Sequence, residues 1–186
     1  ELLSEESIRE AFQTATSEFG KVNVLVNNAA TALVKPAVDV TWNDWDTVVN
    51  ANLKGSYFLS SQFAKCCIET NESGSIINIA STHGVLGFAG RSVYGTSKGG
   101  MIQMTRMLAI EWAENNIRVN TISPGTVMTD SRQQSLNKEA QLKMLKRIPY
   151  GRFPEEKDIA EAVIYLIEAK NVTGQNIIID GGMSAT

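Results

Sequence analysis

Residues 74–100 read GSIINIASTHGVLGFAGRSVYGTSKGG, and this stretch decides the fold. Its opening, Gly74–Ser81, is a short apolar run of the kind that suits a strand covered on both faces. Around Ser92–Gly100 the residues become small, as at the start of a tightly packed helix. From Tyr94 to about Asn115 the pattern is helical, carrying Met101, Ile102, Met104, Leu108 and Trp112. A buried strand followed at once by a helix is the unit of an α/β protein.

The same unit recurs on either side. Before it, the chain opens on LSEESIREAF, where Ser4 is a candidate N-cap, Ser7 ends the first turn, and Glu5 and Glu6 suit a helix N-terminus. Ile8, Ala11, Phe12, Ala15 and Phe19 form one apolar face, and Gly20 ends the helix. VNVLVNNA follows, with Val22, Val24, Leu25 and Val26 as a second buried strand. After a loop with Pro36, a long helix is expected from about Thr41 to about Glu69. Its stripe is Trp45, Val48, Val49, Leu53, Tyr57 and Phe58. Beyond the central unit, IRVNTISPG is a strand stopped by Pro124 and Gly125. Residues 131–148 form a polar amphipathic segment, Asp158–Glu168 a helix, and NIIIDGG a last strand. This order predicts an α/β fold with a doubly wound parallel sheet, in one domain spanning 1–186. Ligands of such sheets bind beyond the carboxyl ends of the strands. That directs attention to Asn27–Ala30, Ser81–Gly84 and Pro124–Thr129.

Composition narrows the functional classes. The 186 residues carry a net charge of −3, with 43% hydrophobic and 20% charged residues. The mild acidity argues against nucleic-acid binding. No apolar run approaches a membrane span, and no signal peptide is visible. The cysteines, Cys66 and Cys67, are helix neighbours that point in different directions, so a bridge between them is not expected. No Cys or His partners lie at metal-ligand spacing, so no metal is expected. A cytoplasmic, reducing setting fits these features.

Chemistry is suggested by three groups. Tyr94 and Lys98 stand four apart, on one face of a helix. A phenol acts as a base near neutral pH only with help, and a cation one turn away favours its ionised form. As a pair they equally suit a core tyrosine beside a surface lysine. Ser81, at the end of a strand, adds a hydroxyl. Donor, phenol and fixed cation together suit proton transfer to or from an alcohol oxygen.

Several stretches then resemble the short-chain dehydrogenase/reductase family of single-domain Rossmann proteins. LVNNAA resembles the family's Asn-Asn-Ala-Gly turn, and VVNANLKGSYFLS its helix with an active-site Asn, here Asn52. IINIASTHG carries the Ser, and YGTSK is the Tyr-x-x-x-Lys motif. IRVNTISPGTVMT resembles the Pro-Gly segment, and TGQNIIIDGG the final strand. Their order over nearly the whole chain carries the likeness.

The resemblance implies NAD or NADP as cofactor and hydride exchange with a small secondary alcohol or ketone. Tyr94 would be the acid/base, Lys98 would assist it and hold the nicotinamide ribose, and Ser81 would hold the substrate oxygen. Asn52 would fix a water linking Lys98 to solvent. Asn28 and Ala29 would line the cofactor groove; Pro124, Gly125, Val127 and Thr129 would hold the nicotinamide end. A homodimer or homotetramer is implied, formed by the two long helices. His83 could touch the substrate or face solvent, and residues 131–148 could be a lid or a plain amphipathic helix whose five basic residues are solvated. Trp42, Trp45 and Trp112 are expected in the core or a subunit interface.

Three features depart from the family. Ala30 replaces the usual Gly of the turn. YLIEAKNVTGQ is shorter than usual. The family's opening strand and Gly-rich turn are not seen, so an N-terminally truncated domain is expected, with roughly 60 residues before Glu1 by family layout. A second function fits the fold alone: a non-catalytic sensor or scaffold. The complete set Asn52, Ser81, Tyr94 and Lys98 favours the enzyme.

Overall fold

The computed structural model describes residues 4–129, 132 and 136–185. Among them, four parallel strands lie side by side in chain order: β1 (Val24–Asn27), β2 (Gly74–Ile79), β3 (Ile117–Pro124) and β4 (Asn176–Ile179). Register runs through Asn27, Asn78 and Thr121, and through Ile122 and Ile177. Parallel neighbours require crossovers, and helices supply them. α1 (Glu5–Phe19) precedes β1, and α2 (Trp42–Val49) runs through a π turn at Asn50–Lys54 into α3 (Gly55–Thr70). α4 (Ser92–Glu111) links β2 to β3. α5 (Lys138–Leu145) and α6 (Glu156–Glu168) lie between β3 and β4.

Both sheet faces are covered, as the unbroken apolar strands require. On one face Phe12, Phe63, Cys67, Met101, Leu108 and Trp112 pack on Ile76 and Val119. On the other, Leu166 of α6 packs on Ile77 and Ile122. Caps explain the helix starts. Ser4 accepts from the Ser7 amide, as its position suggested. Thr41 and Asp44 form a reciprocal capping box, and Lys35 pairs with the same carboxylate. These bonds, led by the one from Lys35, hold the Asp44 carboxyl down at about 2.

Side chains of β3 hold the short connection from α6 to β4. Arg118 donates to the carbonyls of Leu166 and Ile167, which end α6. Asn120 ties Val172 and Gln175 to β3. Trp112 is buried, whereas Trp42 is 88% exposed.

One polar feature runs against the apolar reading of the strands. Asn27 donates to Asn78, Asn78 donates to Thr105, and Thr121 donates to Thr105, all buried. This chain stitches β1, β2 and β3 to α4 just below the carboxyl end of the sheet. Buried polar groups persist where they are hydrogen-bonded, and a network of this kind favours one arrangement over its neighbours.

Candidate active site

At the carboxyl ends of β1, β2 and β3 lies a cavity of ≈ 360 Å³. Asn28, Ala30, Ser81, His83, Tyr94, Lys98, Pro124, Gly125, Val127 and Thr129 line it. All stand among the residues that the sequence marked; Ala29, which it also marked, is not in the lining. Asn52 lies behind the wall.

Lys98 is the anchor. Its side chain is only 2% exposed, and its ammonium donates to the Ile79 carbonyl at 2.6 Å. Ile79 is the last residue of β2, so the strand end fixes the lysine. Burial pulls the Lys98 ammonium down to about 8. The same ammonium sits 5.9 Å from the centre of the Tyr94 ring. One helical turn therefore separates phenol and cation, as the spacing required.

Ser81 and His83 belong to the turn that follows β2. The His83 amide donates to the Ser81 hydroxyl at 3.2 Å, and that oxygen lies 3.1 Å from His83 Nδ1. The His83 ring stacks on Phe88 at 4.1 Å and meets the edge of Tyr94 at 5.6 Å. His83 is thus wedged between two rings in the cavity wall, not turned to solvent. Burial first, then the charges of Arg91, Arg132 and Arg147, push its imidazole down to about 4. It is neutral at pH 7, so Nδ1 can accept the Ser81 proton.

Close packing brings this turn to α4. A Cβ on Gly84 would fall 2.8 Å from the Lys98 carbonyl carbon, and one on Gly95 would fall 2.8 Å from the His83 oxygen. Only bare backbone at these two positions lets Ser81, Tyr94 and Lys98 share one wall.

Asn52 sits in the π turn, fully buried. Its carboxamide accepts from the Thr31 amide at 2.8 Å and donates to the Thr31 carbonyl and to Ser97. These bonds hold the loop after β1. The π turn was invisible in the sequence, which showed one unbroken helical stripe; such turns concentrate at functional sites.

Two charged lining residues were missed. Arg91 and Arg132 both face the cavity. Arg147 lies over the Phe88 ring at 4.9 Å. Of the basic residues of 131–148, Arg132 is half-buried at the cavity and Arg147 is exposed over the Phe88 ring. Of the proposed lid, Leu136, Ala140, Met144 and Leu145 are partly buried, and none lines the cavity; residues 131 and 133–135 lie outside the described residues. The signal that could have found the arginines is their position: Arg91 is three residues before Tyr94, and Arg132 three after Thr129.

Among the described residues no cluster of His, Cys, Asp or Glu is placed to hold a metal. The donor set instead suits half of a dinucleotide. The Lys98 ammonium has hydrogens to offer hydroxyl groups, and the cavity is near the lower limit of ligand pockets. Fold and site thus define a doubly wound protein of the dinucleotide-binding kind with an alcohol-handling wall.

Comparison with known proteins completes the assignment. The family model described as Enoyl-(Acyl carrier protein) reductase matches residues 2–184. The chain is 37% identical over 180 residues to the 3-oxoacyl-[acyl-carrier-protein] reductase of Thermotoga maritima, covering 96% of this chain and 72% of that one. It superposes on 4-hydroxyisoleucine dehydrogenase complexed with NADH with a TM-score of 0.93 at 30% identity, covering 100% of this chain and 78% of that one. It superposes on ElxO with NADP bound with a TM-score of 0.94 at 27% identity, covering 100% and 77%. The chain belongs to the short-chain dehydrogenase/reductase family. It is an NAD(P)-dependent oxidoreductase acting on alcohol and ketone groups.

Proposed function

We propose that Tyr94 passes the proton, Ser81 holds the substrate oxygen and Lys98 holds the nicotinamide ribose. The observation that carries this reading is the buried Lys98 ammonium, pinned to the end of β2 and facing Tyr94. A cation there is costly unless it serves something. When bound, the nicotinamide ring exchanges a hydride with the substrate carbon. The Tyr94 hydroxyl donates its proton to the ketone oxygen as the carbon is reduced, and takes it back in the reverse direction. Ser81 donates to that oxygen after releasing His83 Nδ1. Asn28, Pro124, Gly125, Val127 and Thr129 shape the cofactor side, with Ala29 just outside it. Asn52 positions the loop at Thr31.

Tyr94→Phe tests the assignment. The expected loss is about 10²–10⁴-fold in kcat with cofactor affinity kept, the size of a lost general acid. Near-normal turnover would overturn it.

The wider reading is of one Rossmann unit over 1–186, working in the cytoplasm as a homodimer or homotetramer. Association is supported by an apolar groove between α3 and α4, lined by Leu53, Tyr57, Phe58, Met104 and Met107. Phe58 is 51%, Met107 60% and Ile110 78% exposed. Contiguous faces of this kind mark contact with another protein, and a second copy closes them symmetrically. No helix among the described residues is long and apolar enough to cross a membrane.

A further inference from the structure

The Ser81 hydroxyl has one proton to give and two lone pairs to fill. Two groups of His83 reach its oxygen. The amide, which can only donate, lies at 3.2 Å, and Nδ1 of the ring lies at 3.1 Å. The amide bond is an ordinary local turn of a serine, and such a turn does not require the ring contact. We propose that His83 is a positioning residue for the reaction: with its proton on Nδ1, it turns the Ser81 hydroxyl onto the reacting oxygen. This rests on the reading of Ser81 as the holder of the substrate oxygen.

A ketone oxygen only accepts, so Ser81 must give it its single proton. That proton then leaves the line to Nδ1. Were Nδ1 bare, its lone pair and a serine lone pair would face each other at 3.1 Å. Two acceptors at that distance repel, and the ring nitrogen is left without a partner. A proton on Nδ1 removes the conflict. Ser81 then accepts from the amide and from Nδ1–H, and only its own proton is left to give. The ring stays neutral through the change, because Nε2 releases a proton to water as Nδ1 takes one from water. Burial, the leading cause, holds the imidazole down at about 4, so at pH 7 one ring nitrogen is protonated and the other bare.

The ring is held where this exchange is needed. It stacks on Phe88 at 4.1 Å and 27°, and meets Tyr94 edge-on at 5.6 Å and 75°. Its backbone is pressed on α4, where a Cβ at Gly95 would fall 2.8 Å from the His83 oxygen. The tyrosine that passes the proton therefore also braces the ring that aims the serine.

The test follows oxidation of NADH and NADPH with cyclohexanone, ethyl acetoacetate and dihydroxyacetone, and reads the ketone reduced fastest. His83→Phe keeps a ring between Phe88 and Tyr94 and removes both nitrogens. It should lower kcat/KM for the ketone about 3- to 10-fold, the size of one neutral hydrogen bond, with KM for the cofactor unchanged. His83→Asn places an amide N–H near the position of Nδ1 and should recover part of the loss. In a Ser81→Ala background His83→Phe should change nothing further, because His83 acts through the serine. His83 is the only histidine of the chain, so its ring nitrogens give single signals in nitrogen NMR of the untagged protein. In the complex with oxidised cofactor and the ketone, the proton should reside on Nδ1.

A proton on Nε2 alone in that complex would overturn the proposal. So would an equal loss from His83→Phe with and without Ser81, since the ring would then act by itself. So would a His83→Asn rate well below that of His83→Phe, the mark of a ring that only packs. Ser81→Ala alone separates the two readings. Normal turnover in it sinks the role of the serine and, with it, the proposal. A loss in Ser81→Ala beside full activity in His83→Phe sinks the positioning role and leaves the serine in place.

Discussion

At the scale of single residues, function works against stability. A lysine buried at 2% exposure with one carbonyl partner is a charged group out of water. Its ammonium falls from the ordinary 10.5 to about 8. Below pH 8 it is charged in both the folded and unfolded states, and folding bears the full burial cost, on the order of 3 kcal/mol. As pH rises from 8 to 10.5 the folded state loses its proton first, and the cost disappears. Lys98→Met should therefore abolish activity yet raise stability at pH 7. The net gain should be about 1–2 kcal/mol once the unpaired Ile79 carbonyl is counted. The difference should shrink toward pH 10.5. Denaturant titrations at the two pH values check it, and a less stable variant at pH 7 would contradict the argument.

At the scale of elements, the joint between α2 and α3 matters most. The π turn adds one residue to a helical circuit and turns Asn52 inward, where its carboxamide clamps both backbone groups of Thr31. Asn52→Ala would leave the Thr31 amide and carbonyl without these partners, costing about 1–3 kcal/mol. Thermal unfolding should fall accordingly, and KM for the cofactor should rise as the loop after β1 loosens. A variant with wild-type melting and KM would show that the clamp is dispensable. The sequence placed Asn52 at the site through its neighbours, but the turn itself left no trace. A π turn depends on where the helix must meet loop and strand, not on local propensity.

At the scale of the molecule, the open question is what covers the outer sides of α3 and α4. Phe58, Met107 and Ile110 lie far out of the core. Met107→Lys combined with Ile110→Glu should convert an oligomer into monomers and leave the melting of each monomer nearly intact, because neither side chain supports the interior. Light scattering at micromolar concentration reads the outcome. A mass unchanged by both charges would place the contact elsewhere.

The sequence by itself determined the alternation of helix and strand, the parallel sheet and the strand ends where chemistry gathers. Period and residue type carry that information locally: β-branched runs pair, and small residues flank Tyr94 because α4 must approach the turn after β2. Tertiary structure alone decided three things. It buried Asn27, Asn78 and Thr121 as a hydrogen-bonded chain across the sheet, where the strand pattern reads as plain apolar runs. It turned His83 between Phe88 and Tyr94. It also brought Arg91 and Arg132, far apart along the chain, to the same cavity. A charged side chain looks the same in sequence whether it meets water or a substrate. Its surroundings come from segments distant along the chain, so only the folded arrangement distinguishes the two.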